Sequence, residues 1–369
     1  METIRKTPTK REMIEQLQRG GVSLPPLSFR LLQRGPEIEG DFRFDALVEA
    51  SWGEIMSGFV MECKTLSTPK AFENGVSQLK TYSRAEDYLP MLFLPFLSEQ
   101  QLHKLEQEEI SGIDLCGNGV VIVPGLFAVF RSGQKNRFTS SAPIKNIYRK
   151  NSSMAAQVFL LCPDYEMVKD VWAEINRRNL LVKRWDKKTM SLSTVSKALK
   201  TLEEDLIVAR DDTIHLMQPD KLLQKLSENY TRPTITKRVR VKVPEGAGEI
   251  TQLLQKESQA LGLPLVATGM SSVGRYAVMQ RGDLFSIYCP RLEMILEKLP
   301  GDQADRFPNL ELLETVDERV YFDGREEGNF WWASPVQVYL ELIAGDKRDQ
   351  ETAQQVKLYI MQNLETVQP

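Results

Sequence analysis

Histidine is nearly missing: His103 and His215 are the only two in 369 residues. A histidine-based triad or a histidine-rich metal centre has almost no material to be built from. Cysteine is scarce as well. Cys63, Cys116, Cys162 and Cys289 lie far apart with no CxxC spacing. That argues against a zinc cluster and a disulfide framework, and suits a reducing cytosol. No apolar run is long enough to cross a bilayer, and the longest, LPMLFLPFL, carries two prolines. The opening METIRKTPTKREMIEQ lacks the apolar core of a signal peptide. These absences predict a cytoplasmic protein with no membrane partner. A net charge of −3 also excludes a uniformly basic protein.

What is present is ordinary globular material, 42% hydrophobic and 26% charged, in a chain sized for two or three domains. The charge is segregated. Residues 131–150 hold Arg131, Lys135, Arg137, Lys145, Arg149 and Lys150 with no acid; residues 232–242 hold Arg232, Lys237, Arg238, Arg240 and Lys242, again with none. Acid collects at 99–114 and 311–327. Either a surface that meets a polyanion or plain solvated surface accounts for such runs.

Thr9 is placed to cap a short amphipathic helix that stops at Gly20-Gly21. LSFRLL, RFDALVEA and SGFVMECKT then read as strands. STPKAFENGVSQLKTYS reads as a helix with Phe72, Val76, Leu79 and Tyr82 as its buried stripe. PMLFLPF is a buried strand, SEQQLHKLEQEEI a helix, and GIDLCGNGVVIVPG a strand pair in which Asp114 caps the turn. Strands alternating with helices predict an α/β domain to about residue 130. The basic RSGQKNRFTSSAPIKN reads as a linker. Beyond it SSMAAQVFLLCP, EMVKDVWAEINRRNLL and SLSTVSKALKTLEEDLIV read as helices, and IVARDDTIHLM as two strands about Asp211-Asp212. Three helices followed by a hairpin is winged-helix order. From Thr231 onward EITQLLQKESQALG, SPVQVYLELIAG and DQETAQQVKLYIMQNL are helical, while DLFSIYC and ERVYFDG read as strands. The predicted fold is multidomain α/β plus α+β. Its parts are a mixed sheet with flanking helices at 1–135, a winged helix at 136–232 and a C-terminal α+β domain at 233–369.

Chemistry concentrates in FVMECKT, residues 59–65. On a strand Val60, Glu62 and Lys64 share one face, and Met61 and Cys63 the other. Either a solvated edge ion pair or a metal-dependent active site explains the two charges. An ExK triplet alone arises about once or twice by chance in such a chain. Its surroundings add weight. Asp45, Leu47 and Glu49 share a strand face, and a hairpin through SWGEIMSG would bring Asp45 beside Glu62. Two carboxylates suit Mg²⁺ or Mn²⁺, which keeps several waters, and Lys64 would serve the attacking water or the phosphate. Gln78, on the next helix, aims at the same spot.

The order Asp45, Glu62-Cys63-Lys64, Gln78 resembles the PD-(D/E)xK, or restriction-endonuclease-like, nuclease superfamily over about residues 25–130, although Phe44 rather than proline precedes Asp45. The resemblance implies that Asp45 and Glu62 hold the metal, that Lys64 and Gln78 complete the catalytic set, and that the N-terminal helix adds an acid, Glu12 or Glu15.

In LSTVSKALKTLEEDL the residues Leu192, Val195, Leu199, Leu202 and Leu206 make an apolar face, while Ser193, Thr194, Lys197 and Thr201 lie opposite, with Lys200 nearby. Hydroxyls and lysines on such a helix suit phosphate and base-edge contacts in a major groove; an ordinary solvated face looks similar. The neighbouring NRRNLLVKRWDKK adds Arg177, Arg178, Lys187 and Lys188 as phosphate contacts. Farther on, LVATGMSSVGRYAV with FSIYC, and WWASPVQVYLELIAGDKRDQETAQQVK, resemble the C-terminal region of AbiEi-type antitoxin repressors of type IV toxin–antitoxin systems. That likeness implies a DNA-binding repressor with a cognate toxin partner. Two readings follow. One is a double-stranded DNA-binding protein with a Mg²⁺-dependent endonuclease site, in a mobile-element or phage-defence setting. The other is a repressor or antitoxin whose nuclease-like domain no longer cuts. Homodimers are compatible with both.

Overall fold

The computed structural model describes residues 7–35, 44–82, 88–138, 146–182, 189–244, 247–278, 284–304 and 306–367. The chain divides into two compact units, Met1–Lys145 and Asn146–Pro369.

The first unit opens with α1 (Lys10–Gln18), whose capping box pairs the Thr9 side chain with the Glu12 backbone and the Glu12 side chain with the Thr9 backbone. Seven strands follow in sheet order: β1 (Ser28–Arg34), β2 (Ala46–Trp52), β3 (Ile55–Cys63), β4 (Leu89–Leu94), β5 (Ser111–Asp114), β6 (Gly119–Val123) and β7 (Phe127–Arg131). Strands β3, β4 and β5 run parallel; the remaining neighbours are antiparallel. The parallel steps are crossed by α2 (Pro69–Tyr82) and α3 (Glu99–Gln107). Gly53, at φ +60, takes the first turn position between Trp52 and Ile55, a conformation that favours glycine in a two-residue hairpin.

Both sheet faces are covered. Met13, Ile14 and Leu17 of α1 pack with Ala46, Val48, Phe59, Met61, Cys63 and Phe93. On the other face Phe72, Val76 and Leu79 of α2 pack with Val60, Leu92 and Leu94. Strand β3 is therefore central and buried at its C-terminal end. The segment 132–138, expected as part of a linker, folds back on this unit: Gln134 N donates to Asn118 Oδ1 at 2.8 Å and Arg137 Nη2 to the Leu115 carbonyl at 2.7 Å. The rest of that linker, 139–145, lies outside the described residues.

The second unit holds residues 146–232 of the segment expected as winged helix together with the segment expected as C-terminal domain. Its first part runs α4 (Met154–Gln157, flanked by single 3-10 turns), β8 (Asp164–Tyr165), α5 (Val168–Arg178), α6 (Leu192–Glu204), β9 (Val208–Arg210), β10 (Ile214–Leu216) and α7 (Pro219–Glu228). The strands form a small sheet in the order β8-β10-β9. Strand β8 escapes a reading of the sequence because two residues carry no period.

The remainder is a seven-stranded mixed sheet. It contains β11 (Lys237–Lys242), β12 (Val266–Ala267), β13 (Phe285–Cys289), β14 (Asp302–Gln303), β15 (Leu310–Glu314), β16 (Arg325–Glu327) and β17 (Phe330–Trp332), in the order β14-β11-β15-β13-β12-β17-β16. Helices α8 (Ala247–Leu261), α9 (Gly269–Ser272), α10 (Leu292–Leu296), α11 (Pro335–Ile343) and α12 (Lys347–Val367) complete it. The phrase ERVYFDG, expected as a strand, is instead a 3-10 turn, Glu318–Tyr321: Asp317 caps the Arg319 amide and binds its guanidinium, holding the chain in a turn. The basic run at 237–242 lies on β11, where Lys237 meets Glu293 and Arg238 and Arg240 share Glu311, so three of its four cations have an acid partner and two carboxylates face them. No helix among the described residues is long and apolar enough to cross a membrane.

Candidate functional site

The antiparallel register pairs Ala46 with Met61, which sets Asp45 beside the end of β3. The Asp45 amide donates to the Met61 carbonyl at 3.0 Å, and Asp45 Oδ2 accepts the Cys63 amide at 2.7 Å. Lys64, one residue past the strand, donates to Glu62 Oε1 at 2.9 Å and to Gln78 Oε1 at 2.8 Å. The sequence-predicted quartet Asp45, Glu62, Lys64 and Gln78 is thus brought to one place. Glu62 is 1% exposed on a central strand, so the edge ion pair is not what the fold builds.

A fifth group joins them. Lys10 Nζ lies 2.9 Å and 2.7 Å from the two oxygens of Asp45 and 3.6 Å from Glu62 Oε1. The N-terminal helix was expected to bring an acid here and brings a cation. Glu12 closes the capping box and Glu15 pairs with Arg11 at 2.9 Å. The signal for Lys10 was legible: 10, 13, 14 and 17 follow the i, i+3, i+4, i+7 stripe that faces the sheet. Gly75 was missed too. A Cβ there would stand 2.5 Å from Leu92 Cδ1, so its bare backbone makes room for Leu92, while the Lys64 stem passes at ordinary contact distance.

Burial is the largest influence on Glu62 and pushes its carboxyl above the usual range, against the pull of Lys64; nearby Asp45 adds to the rise. For Lys10 burial is again the largest influence and works downward, but the Asp45 hydrogen bond and the carboxylate charges outweigh it, so the ammonium is held more firmly protonated. Burial first, then Asp45, raises the Cys63 thiol far above its ordinary value, so it stays an inert core group.

Among the described residues no three or more His, Cys, Asp or Glu side chains group as a metal site. The donor chemistry still fits a hard divalent ion: two carboxylates face one spot, and the Lys10 ammonium shows that a cation is stable there. Asp114 stands apart. Its Oδ1 accepts the amides of Cys116, Gly117 and Asn118 at 2.7 to 2.8 Å, and its Oδ2 those of Leu97 and the Asn118 side chain. It is a turn cap.

In the second unit α6 buries Val195, Ala198, Leu199 and Leu202, while Leu192, expected on that apolar face, is 47% exposed. Leu192 is the first helical residue, beyond reach of the core. Ser193, Lys197 and Lys200 are exposed, Thr194 and Thr201 half-buried. Ser191 caps the helix and its hydroxyl meets that of Thr194 at 2.9 Å. The expected phosphate contacts diverge. Arg177 is exposed and pairs with Glu174, whereas Arg178 turns inward to Glu174 Oε1 at 2.7 Å and Asp323 Oδ1 at 2.6 Å. Its guanidinium is a strut within the unit, because the buried Asp323 carboxylate needs a partner. Lys187 and Lys188 lie outside the described residues. No protein family, curated protein or solved structure matches the chain.

Proposed function

We propose that the chain binds double-stranded DNA through its second unit and hydrolyses phosphodiester bonds in its first, using Mg²⁺ or Mn²⁺. The observation that carries this reading is the convergence of Asp45, Glu62, Lys64 and Gln78 at one half-buried spot. Asp45 and Glu62 would hold the ion. Bound there, it supplies Lewis acidity toward the scissile phosphate and the attacking water. The Cys63 amide fixes the Asp45 carboxylate. Lys64, aligned by Gln78, orients the water and offsets charge that builds on the phosphate. The order of one helix, three strands, a helix and a parallel strand also supports an endonuclease-like core. The second unit's helix, strand, two helices and hairpin support a winged helix. There Ser193, Lys197 and Lys200, flanked by Thr194 and Thr201, form the DNA-facing surface of α6, and Arg177 on α5 adds a phosphate contact.

One observation favours the repressor or antitoxin reading: the seat between the carboxylates is taken by Lys10. A single assay separates the two. Purified protein is incubated with linear, supercoiled and single-stranded DNA under Mg²⁺ and Mn²⁺. Nicking or cutting that disappears in Lys64→Ala supports the endonuclease. Intact DNA under every condition, with a specific complex on the chain's own promoter, supports the repressor, whose partner would be a cognate toxin.

A further inference from the structure

We propose that Lys10 is a tethered cation occupying the divalent-ion seat, so that a metal ion enters only by displacing it and Lys10 sets how tightly the ion is held. This rests on the metal-dependent reading of the same site.

Three observations converge. The first is geometric: Lys10 Nζ engages both oxygens of Asp45 at 2.9 Å and 2.7 Å and stands 3.6 Å from Glu62 Oε1. Both oxygens a metal would use on Asp45 are therefore engaged, Oδ1 by Lys10 and Oδ2 by Lys10 and the Cys63 amide. The second is charge. Asp45 and Glu62 carry two negative charges when ionised, and Lys10 and Lys64 two positive ones, so these four side chains sum to zero and offer a divalent ion no net attraction. With Lys10 swung away, one negative charge is restored. The third is that nothing in α1 explains a cation at this position. Lys10 is its first residue, where the helix dipole favours an acid. The helix is held instead by the Thr9–Glu12 capping box and by buried Met13, Ile14 and Leu17. The Lys10 side chain is 45% exposed, so it can leave for water without dragging apolar surface with it.

A merely structural tie between α1 and β2 predicts something else: lost stability on substitution and no gain in metal affinity. Mn²⁺ binding to the full chain is therefore measured calorimetrically, starting metal-free, for wild type, Lys10→Met, Lys10→Arg and Asp45→Asn, with thermal melts in chelator alongside. The expected result is Mn²⁺ binding tighter by about tenfold or more in Lys10→Met, from removal of one competing charge at contact distance. Lys10→Arg should stay near wild type and Asp45→Asn should lose binding. If wild type binds Mn²⁺ and Lys10→Met binds it equally or more weakly, Lys10 is a strut and the inference fails while the metal reading stands. If neither binds, the metal reading fails and takes the inference with it. Should Lys10→Met not fold, Lys10→Gln keeps a donor to Asp45 without the charge and is read in the same way.

Discussion

The ammonium of Lys64 lies 2.9 Å from the carboxylate of Glu62, and the Gln78 amide oxygen, 2.8 Å from the same nitrogen, completes its fixation. A lysine free to rotate would spend little time in one geometry, and small displacements are costly in catalysis. Gln78→Ala should therefore lower the rate of DNA cleavage by about 10- to 100-fold with little change in DNA affinity. Single-turnover rates set against binding isotherms check this; a loss confined to affinity would remove Gln78 from the catalytic set.

Asp114 satisfies four backbone amides and one side-chain amide while fully buried. Removing it leaves several buried donors without acceptors. Asp114→Ala should destabilise the first unit by about 3 kcal/mol or more. Chemical denaturation followed in this unit tests the value, and a near-neutral change would contradict the capping role.

Lys197 and Arg178 should behave in opposite ways. Lys197 is exposed on α6, so Lys197→Ala should weaken DNA binding and reduce the slope of log affinity against log salt by about 1, with stability unchanged. Arg178→Ala leaves Asp323, 4% exposed, with Arg325 as its remaining guanidinium partner and should cost about 3 kcal/mol of stability without moving that slope. Salt-dependent binding and denaturation of the two variants decide it; a shifted slope in Arg178→Ala would return that residue to the DNA surface.

Glu62, Asp114 and Asp323 are all held above the ordinary carboxylate range, burial being the largest cause for each. A carboxyl whose folded pKa is raised binds more protons folded than unfolded, so its contribution is greatest below the unfolded value and fades as pH climbs through the folded one. Glu15, Glu174 and Glu314 are shifted the other way, which acts below the ordinary glutamate range. From about pH 5 upward the raised set governs. Metal-free protein should melt at a higher temperature at pH 5 than at pH 8, measured at constant ionic strength; the reverse order would contradict it.

The candidate site was largely legible in the sequence, and the reason is local. Strand alternation fixed the face shared by Glu62 and Lys64, the short SWGEIMSG hairpin fixed the approach of Asp45, and helical spacing fixed Gln78. Helical spacing puts Lys10 on the sheet-facing stripe of α1, but its partners lie 35 and 52 positions away, so the ion pairs it makes there were not legible. The inward pairing of Arg178 was hidden for the same reason: Asp323, its partner, is 145 residues distant. The strand reading of ERVYFDG failed because a capping aspartate outweighed the β-propensity of Val320, Tyr321 and Phe322. The basic run at 237–242 reads from sequence either as a polyanion-facing surface or as solvated surface, and its pairing with Glu311 on β15 was not legible because Glu311 lies 71 residues from Arg240.

Cleavage of supercoiled DNA in Mg²⁺, followed side by side for wild type and Glu62→Gln, tests the catalytic claim most directly. Glutamine keeps the shape of Glu62 and removes its charge. Wild type should convert the supercoiled form to nicked or linear product, while Glu62→Gln, still folded and still binding DNA, should leave it supercoiled. Equal conversion by both proteins, or none by wild type under Mg²⁺ or Mn²⁺, would contradict an active centre at Asp45, Glu62 and Lys64.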